Sequence, residues 1–350
     1  MKILLVRGNP RKTGVCERLA DIFVDGLKSG GAEVFDLDMA TAKISMCRGC
    51  MACNFGDIGK CVIRDDMEKV CEFLSDADAL ICVSPVYFYA MSSQLKTFFD
   101  RCFPFVRGYS FNTDSGQNEN HLSFRKKNKK FLTISVASGR LNSSFNAMSQ
   151  TYGTIAKSLG FSYCADVRRG ESVYFSGLGA DSVRVGKVLS AFRKAGETFA
   201  RNGTIENELV EQMEMELAPS DEIFSKRAKV FWELSKHQKV GERDVSDLKA
   251  DLRKVAKKIQ ARLANSDEKF SAKITFTDVR ESFFVSIDSQ KSLIEKWSEQ
   301  CTANLELRIN SMLFYDIIAN LRDISSAITS NKLTYNGDEK AFSLFIDSLK

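Results

Sequence analysis

From the first residue to about residue 200, short apolar runs of strand length alternate with amphipathic stretches of helical period. That alternation constrains the fold more than any other feature of the chain. Lys2 to Val6 reads as a strand, Val15 to Lys28 as a helix and Glu33 to Leu37 as a second strand. Asp65-Asp66 opens a helix through Leu74, Ala79 to Ser84 is an apolar β-branched run, and Ser92 to Phe103 is helical. Phe131 to Ala137 and Ser162 to Val167 supply a fourth and a fifth strand, and a helix from about Ala180 to Arg201 meets its stop at Asn202-Gly203. Five short apolar strands separated by helices predict an α/β fold, a doubly wound five-stranded parallel sheet. Ligands on such sheets bind beyond the carboxyl ends of the strands, so the chemistry is expected in the loops after Val6, Ser84 and Ala137.

After residue 203 glycine nearly disappears, and the acidic stretch Glu206 to Glu216 leads into helical patterns at about Ser220 to Lys239 and Val245 to Ala264. From Ser271 the period returns to two, through Lys273 to Phe276, Phe283 to Ile287 and Ala303 to Ile309. Helices follow at Ser311 to Leu321 and Ile324 to Thr329, then a strand at Leu333 to Tyr335, the turn Asn336-Gly337-Asp338 and a final helix. The expected organisation is a first domain over 1–203, a helical linker over 204–269 and a smaller α+β domain over 270–350. The basic run Arg125-Lys126-Lys127-Asn128-Lys129-Lys130 is expected as a solvated loop.

Lys and Arg number 50 against 45 Asp and Glu, a net +5 that falls short of the basic footprint of a nucleic-acid-binding chain. No segment approaches the roughly 18 to 20 apolar residues of a membrane span. The apolar start Ile3 to Val6 is broken by Arg7 and Asn9-Pro10-Arg11-Lys12, so no cleavable leader is expected and the cytoplasm is the expected compartment. Two histidines limit His-based catalysis and mixed Cys/His zinc sites. Ten cysteines in a reducing compartment read as packing, catalysis or metal binding rather than a disulfide scaffold.

Four segments carry candidate chemistry. Gly8-Asn9-Pro10-Arg11-Lys12-Thr13-Gly14-Val15-Cys16 joins strand one to helix one and can present backbone N–H groups and a helix dipole to one phosphate. It matches neither G-x-G-x-x-G nor G-x-x-x-x-G-K-[ST], which disfavours dinucleotide binding and P-loop hydrolysis. Ser84-Pro85-Val86-Tyr87-Phe88-Tyr89-Ala90-Met91 places aromatic and apolar groups at a strand end, where they can pack on a planar ring system or serve as core or dimer contacts. In Ala137-Ser138-Gly139, small residues permit close backbone approach to a ligand. Cys47, Cys50, Cys53 and Cys61 form C-x2-C-x2-C-x7-C, in which three closely spaced thiolates and a fourth returning past Gly56 and Gly59 can hold a [4Fe-4S] cluster. Structural zinc usually takes two separated C-x2-C pairs, a poorer fit, and free or redox-active thiols are the other alternative. Cys71, Cys82, Cys102, Cys164 and Cys301 sit in apolar patterns and read as packing residues.

Together, the phosphate loop, the Cys47 to Cys61 segment with Asp65-Asp66-Met67, and Ser84 to Phe88 with Leu95-Lys96-Thr97-Phe98-Phe99-Asp100-Arg101 resemble the flavodoxin-like NADPH-dependent FMN reductase family, and within it the iron-sulfur flavoproteins. The resemblance covers roughly residues 1–200. It implies that Asn9, Arg11, Thr13, Gly14, Val15 and Cys16 hold the FMN phosphate, that Pro85, Val86, Tyr87 and Phe88 contact the flavin ring, and that Cys47, Cys50, Cys53 and Cys61 ligate the cluster. The family usually carries Ser at the position of Asn9 and Asn-Thr at Val15-Cys16, so two hydroxyl donors are missing here.

What it implies is an FMN-dependent oxidoreductase that accepts electrons from NAD(P)H or a ferredoxin and passes them to a small or apolar acceptor, with the cofactors carrying the chemistry and no side-chain triad required. It also implies a homo-oligomer. Residues 270–350 are faintly similar to the sterol-carrier-protein type of lipid-binding domain, through the paired strands at Phe276 and Val285 and the close Asn331 to Asp338. In that reading Leu313, Phe314, Ile317, Ile318, Leu321, Ile324 and Ile328 line an apolar cavity for a lipid or quinone; otherwise they fill a core. The alternative function is a non-catalytic carrier of such an apolar ligand.

Overall fold

The structure is a computed structural model that describes residues 1–55, 60–112, 117–122, 124–140, 142–176, 182–235, 245–319, 324–329 and 331–349. The chain divides into two compact units, Met1–Phe231 and Trp232–Lys350. Gly56, Gly59, Ala180, Lys239 and Leu321, named above, lie outside the described residues.

In the first unit the strands β1 (Lys2–Arg7), β2 (Glu33–Asp38) and β3 (Ala79–Pro85) are joined by α1 (Val15–Ser29), a short α2 (Ala52–Phe55) and α3 (Met67–Asp76). After α4 (Ser93–Arg101) an antiparallel hairpin, β4 (Val106–Asn112) and β5 (Gln117–Leu122), precedes β6 (Lys130–Val136). Then come α5 (Asn146–Ser158), β7 (Ser162–Arg169), α6 (Ser182–Asn202) and α7 (Asn207–Glu214), and the unit boundary falls within α8 (Asp221–Ser235).

Every pairing in the large sheet is parallel and the strand order is β2-β1-β3-β6-β7, the flavodoxin-like order of a doubly wound sheet. β3 is buried at every position, as a central strand covered on both faces requires. Successive side chains point to opposite faces. Leu4, Val6, Leu80, Cys82 and Phe131 pack on one face with Met67, Val70 and Leu74 of α3, Leu95 and Phe98 of α4, and Met148 and Tyr152 of α5. On the other face α1 and α6 meet closely, because a Cβ on Gly26 would stand 2.1 Å from the Arg193 carbonyl oxygen and one on Gly196 2.3 Å from that of Phe23. Only glycine permits that approach.

The acidic stretch after residue 203 is fastened to the sheet edge. Arg169, 1% exposed, donates from Nη1 to the carbonyls of Met213 (3.0 Å) and Met215 (2.7 Å), and the Glu171 carboxylate accepts from the amides of Leu217 and Ala218. The basic run departs from the expected solvated loop. Lys129 is 1% exposed and donates to the carbonyls of Ser75 (2.9 Å) and Ala77 (2.6 Å), while Arg125 pairs with Asp76 and Lys126 with Asp78. Cys71, Cys82 and Cys102 are buried as expected, whereas Cys164 and Cys301 are half-exposed and so are not core residues. Cys164 lies on β7, a sheet edge with a neighbour on one side only.

The second unit holds α9 (Val245–Leu263), β8 (Phe270–Phe276), β9 (Glu281–Ile287), β10 (Ser292–Lys296), β11 (Leu305–Ile309), α10 (Ser311–Ile318), α11 (Ile324–Thr329), β12 (Leu333–Gly337) and α12 (Glu339–Leu349). Its sheet has the order β10-β9-β8-β11-β12, with only the β8–β11 pair parallel. Leu313, Phe314, Ile317 and Ile324 are buried in a core with Leu252, Val255 and Ile259 of α9 and Ile274 of β8, and Ile318 and Ile328 pack against it. Of the cavity-lining set, the residues described here are core-filling.

Candidate functional site

The loops after Val6, Ser84 and Ala137 lie side by side at the carboxyl edge of the large sheet. The Gly8 amide donates to the carbonyl of Val83 (2.7 Å) and the Val86 amide to that of Val136 (2.8 Å), which hold the start of the first loop against β3 and that of the second against β6. Ser92 caps α4, accepting from the Leu95 amide (3.2 Å), and its hydroxyl donates to the Gly8 carbonyl. Its own amide donates to the Ser84 hydroxyl (3.1 Å), which in turn donates to the Pro85 carbonyl (3.0 Å). The sequence marks Ser92 as the entry of a helix, and there its hydroxyl takes the capping role.

Gly14 is the residue before α1, with a φ of 129° that side-chain-bearing residues rarely adopt, and no side chain caps the helix behind it. The first-turn amides of a 15-residue helix therefore face the loop uncapped, the arrangement that binds a phosphate. Arg11 and Thr13 are exposed around this opening and Val15 is half-buried. Asn9 and Cys16 are buried. The Asn9 amide nitrogen is spent on the loop itself, donating to the Arg11 carbonyl (2.8 Å) and to Glu17 (3.0 Å), while its Oδ1 is buried with no hydrogen-bond partner. Burial and the neighbouring Glu17 push the Cys16 thiol up, so it stays neutral. Both residues can meet an anion only through their backbone amides. Beneath the loop Arg7 is paired with Asp36 (2.6 Å), Asp21 (2.7 Å) and Glu17 (3.2 Å).

Pro85 is buried and Val86 half-buried, after which the chain makes a two-residue turn. The amides and carbonyls of Tyr87 and Ala90 exchange hydrogen bonds of 2.9 and 3.0 Å, and Phe88 and Tyr89 have φ of 50° and 65°. Two positive φ values define a type I′ turn, which normally takes Asn and Gly. Bulky aromatics there hold strain of about 1 kcal/mol each, and strain of this kind collects at ligand sites. Phe88 is 97% exposed, so burial does not explain it. Ser138 is exposed and Gly139 half-buried on the third loop.

Cys47, Cys50, Cys53 and Cys61 line one cavity of about 290 Å³ together with Arg101, Phe103 and Pro104. The backbone doubles around Cys50, with Gly49 at φ 64° and Met51 at φ 57°, and the Gly49 amide donates to the Cys47 sulfur (3.5 Å). Burial and the nearby sulfurs of Cys61, Cys47 and Cys50 push the Cys53 thiol up. Among the described residues, no three His, Cys, Asp or Glu side chains are drawn into a set that closes on one ion. The thiols bound a space, and their chemistry with an N–H···S contact fits the anionic donor set of an iron-sulfur cluster.

The neck of this loop is held by an ion pair that sequence reasoning left without a role. Arg101, 1% exposed, forks onto Asp65 through contacts of 2.7 and 2.9 Å. Burial alone would raise the Asp65 carboxyl, but Arg101 and the amides of Ser45 and Met67 hold it below its usual value. The signal was present: Arg101 follows Leu95 and Phe98 at helical spacing, a cation on the apolar face of α4.

An uncapped helix end, a strained aromatic turn and a thiol-lined cavity lie on the loop side of a flavodoxin-like α/β sheet. Residues 1–154 match the family of NADPH-dependent FMN reductases. An iron-sulfur flavoprotein of Archaeoglobus fulgidus is 37% identical over 105 residues, 30% of this chain and 47% of that protein. One from Methanocaldococcus jannaschii is 32% identical over 116 residues, 33% of this chain and 59% of that protein. The chain thus spans about half the length of the curated relatives it matches. A solved NAD(P)H:quinone oxidoreductase from Methanothermobacter marburgensis is 16% identical, with a TM-score of 0.43 over 59% of this chain and 98% of that one. The N-terminal similarity is therefore to the NADPH-dependent FMN reductase family, and within it to proteins of the iron-sulfur flavoprotein type.

Proposed function

We propose that the chain is an FMN-dependent oxidoreductase whose four-cysteine loop holds a [4Fe-4S] cluster, with NAD(P)H or a ferredoxin as donor and a small or apolar acceptor. The observation that carries the reading is the meeting of the Gly14 helix entry, the Phe88 turn and the three sheet-end loops at one edge. Asn9, Arg11, Thr13, Gly14, Val15 and Cys16 cradle the FMN phosphate, chiefly through backbone N–H groups. Pro85, Val86, Tyr87 and Phe88 lie along the ring, and Ser138 and Gly139 close its third side. Cys47, Cys50, Cys53 and Cys61 ligate the cluster.

When bound, FMN exchanges two electrons as hydride or one at a time, and a cluster exchanges one. The chain's own part is placement: Ser92 ties the phosphate loop to the aromatic turn, and the turn presents its rings outward instead of burying them. Phe88, Phe55 (86% exposed) and Met46 (76% exposed) leave apolar surface uncovered within one chain, which supports a homo-oligomer. Among the described residues no helix is long and apolar enough to cross a membrane, and the cytoplasm is the proposed compartment.

Stopped-flow mixing of the FMN-loaded protein with NADPH, NADH or reduced ferredoxin under argon tests the donor. Bleaching of the flavin band by one of them within a turnover supports the reading, and a flavin that none of the three reduces defeats it.

A further inference from the structure

We infer that Arg101, acting through Asp65, is a positioning residue for the thiol set: it shuts the neck of the cysteine loop and keeps a fixed positive charge beside the group the thiolates hold. The inference rests on the proposed cluster reading and deepens it.

The geometry is that of a clamp. Nη1 of Arg101 donates to the Ser45 carbonyl (2.7 Å) and Nη2 reaches the Ile63 carbonyl (3.4 Å), so one guanidinium touches the chain just before Cys47 and just after Cys61. The same two nitrogens fork onto Asp65, whose carboxylate also accepts from the amides of Ser45 (2.9 Å) and Met67 (3.1 Å). Asp65 and Arg101 thus bind both strands of the neck and each other.

Two further facts set this pair apart from an ordinary structural ion pair. Arg101 lines the thiol cavity and lies beside the Cys61 sulfur, and its Nε is buried without a hydrogen-bond partner. A buried ion pair is weak evidence for stability, since a well-packed apolar side chain often serves as well, and Leu95 and Phe98 show that this face of α4 can be apolar. What an apolar residue cannot do is offset negative charge. A thiolate-held cluster is anionic, and local charge and hydrogen bonding set its reduction potential.

The clamp and the charge are separable by substitution. In the full-length apoprotein, Arg101→Lys and Arg101→Gln should speed tryptic cleavage after Arg48 and Lys60 by about tenfold or more, since Lys has the charge without the fork. In reconstituted protein, Arg101→Gln leaves Asp65 uncompensated and should lower the cluster's midpoint potential. Asp65→Asn, which keeps the shape, leaves Arg101 uncompensated and should raise it. Opposite shifts from the two partners are not what general loosening produces. Cleavage unchanged in Arg101→Lys, or potentials moving the same way in Arg101→Gln and Asp65→Asn, would overturn the inference. If the wild type takes up neither iron nor sulfide, the cluster reading fails by itself, and the apoprotein cleavage rates still decide the clamp.

Discussion

Gly8 lies against Leu95 so closely that a Cβ at residue 8 would stand 2.7 Å from the Leu95 Cβ and 3.0 Å from the Ser92 hydroxyl. The loop that begins at Gly8 is thereby pressed onto the first turn of α4, whose cap also donates to Gly8. Gly8→Ala must push the two apart. We expect it to destabilise the first unit by about 1 to 3 kcal/mol, as overpacking does, and to weaken FMN binding. Urea unfolding and a flavin-fluorescence titration check this, and an unchanged affinity would mean that the two loops are not coupled.

The turn at Phe88 and Tyr89 makes the opposite pair of predictions. Tyr89→Gly relieves a positive-φ residue at 61% exposure and should stabilise the chain by about 1 kcal/mol. Phe88→Gly should do the same while weakening FMN binding by about tenfold, because the ring it removes is the proposed flavin contact. If Phe88→Gly binds FMN as tightly as the wild type, the aromatic turn does not serve the flavin.

How far the sequence discloses this molecule follows from local chemistry. The parallel strands were legible because β1, β3 and β6 are apolar runs flanked by turn signals, and the cysteine spacing marked its own loop. The hairpin formed by β4 and β5 went unread: Gln117–Leu122 is almost wholly polar, so no period of two appears. Helix α5 was also missed, since Asn146–Ser158 carries Gly153 and two threonines and its apolar stripe is thin. Lys129 looked like one more cation in a basic run, because no local pattern tells which lysine of a cluster finds two carbonyls beneath it. Arg101 was visible as a residue of a motif but not as a clamp, because its partners lie 36 and 56 positions away.

Burial pushes the Lys129 ammonium down to about 8 from an ordinary 10.5. The folded state therefore sheds this proton before the unfolded chain does, and between those two values the unfolded state binds more protons. Stability contributed by this residue rises as pH climbs through that window. Lys129→Met removes the rise. The unfolding free energy of wild type relative to Lys129→Met should accordingly be larger at about pH 10 than at about pH 7, and parallel pH profiles would show that the lysine is not desolvated in the folded chain.

The most direct test of the central claim is a count of iron, acid-labile sulfide and FMN after anaerobic purification of the full chain, with a visible spectrum before and after dithionite. A chain that holds both cofactors carries about four iron, about four sulfide and about one FMN. FMN without iron would contradict the cluster at Cys47, Cys50, Cys53 and Cys61, and the absence of both cofactors would contradict the oxidoreductase reading as a whole.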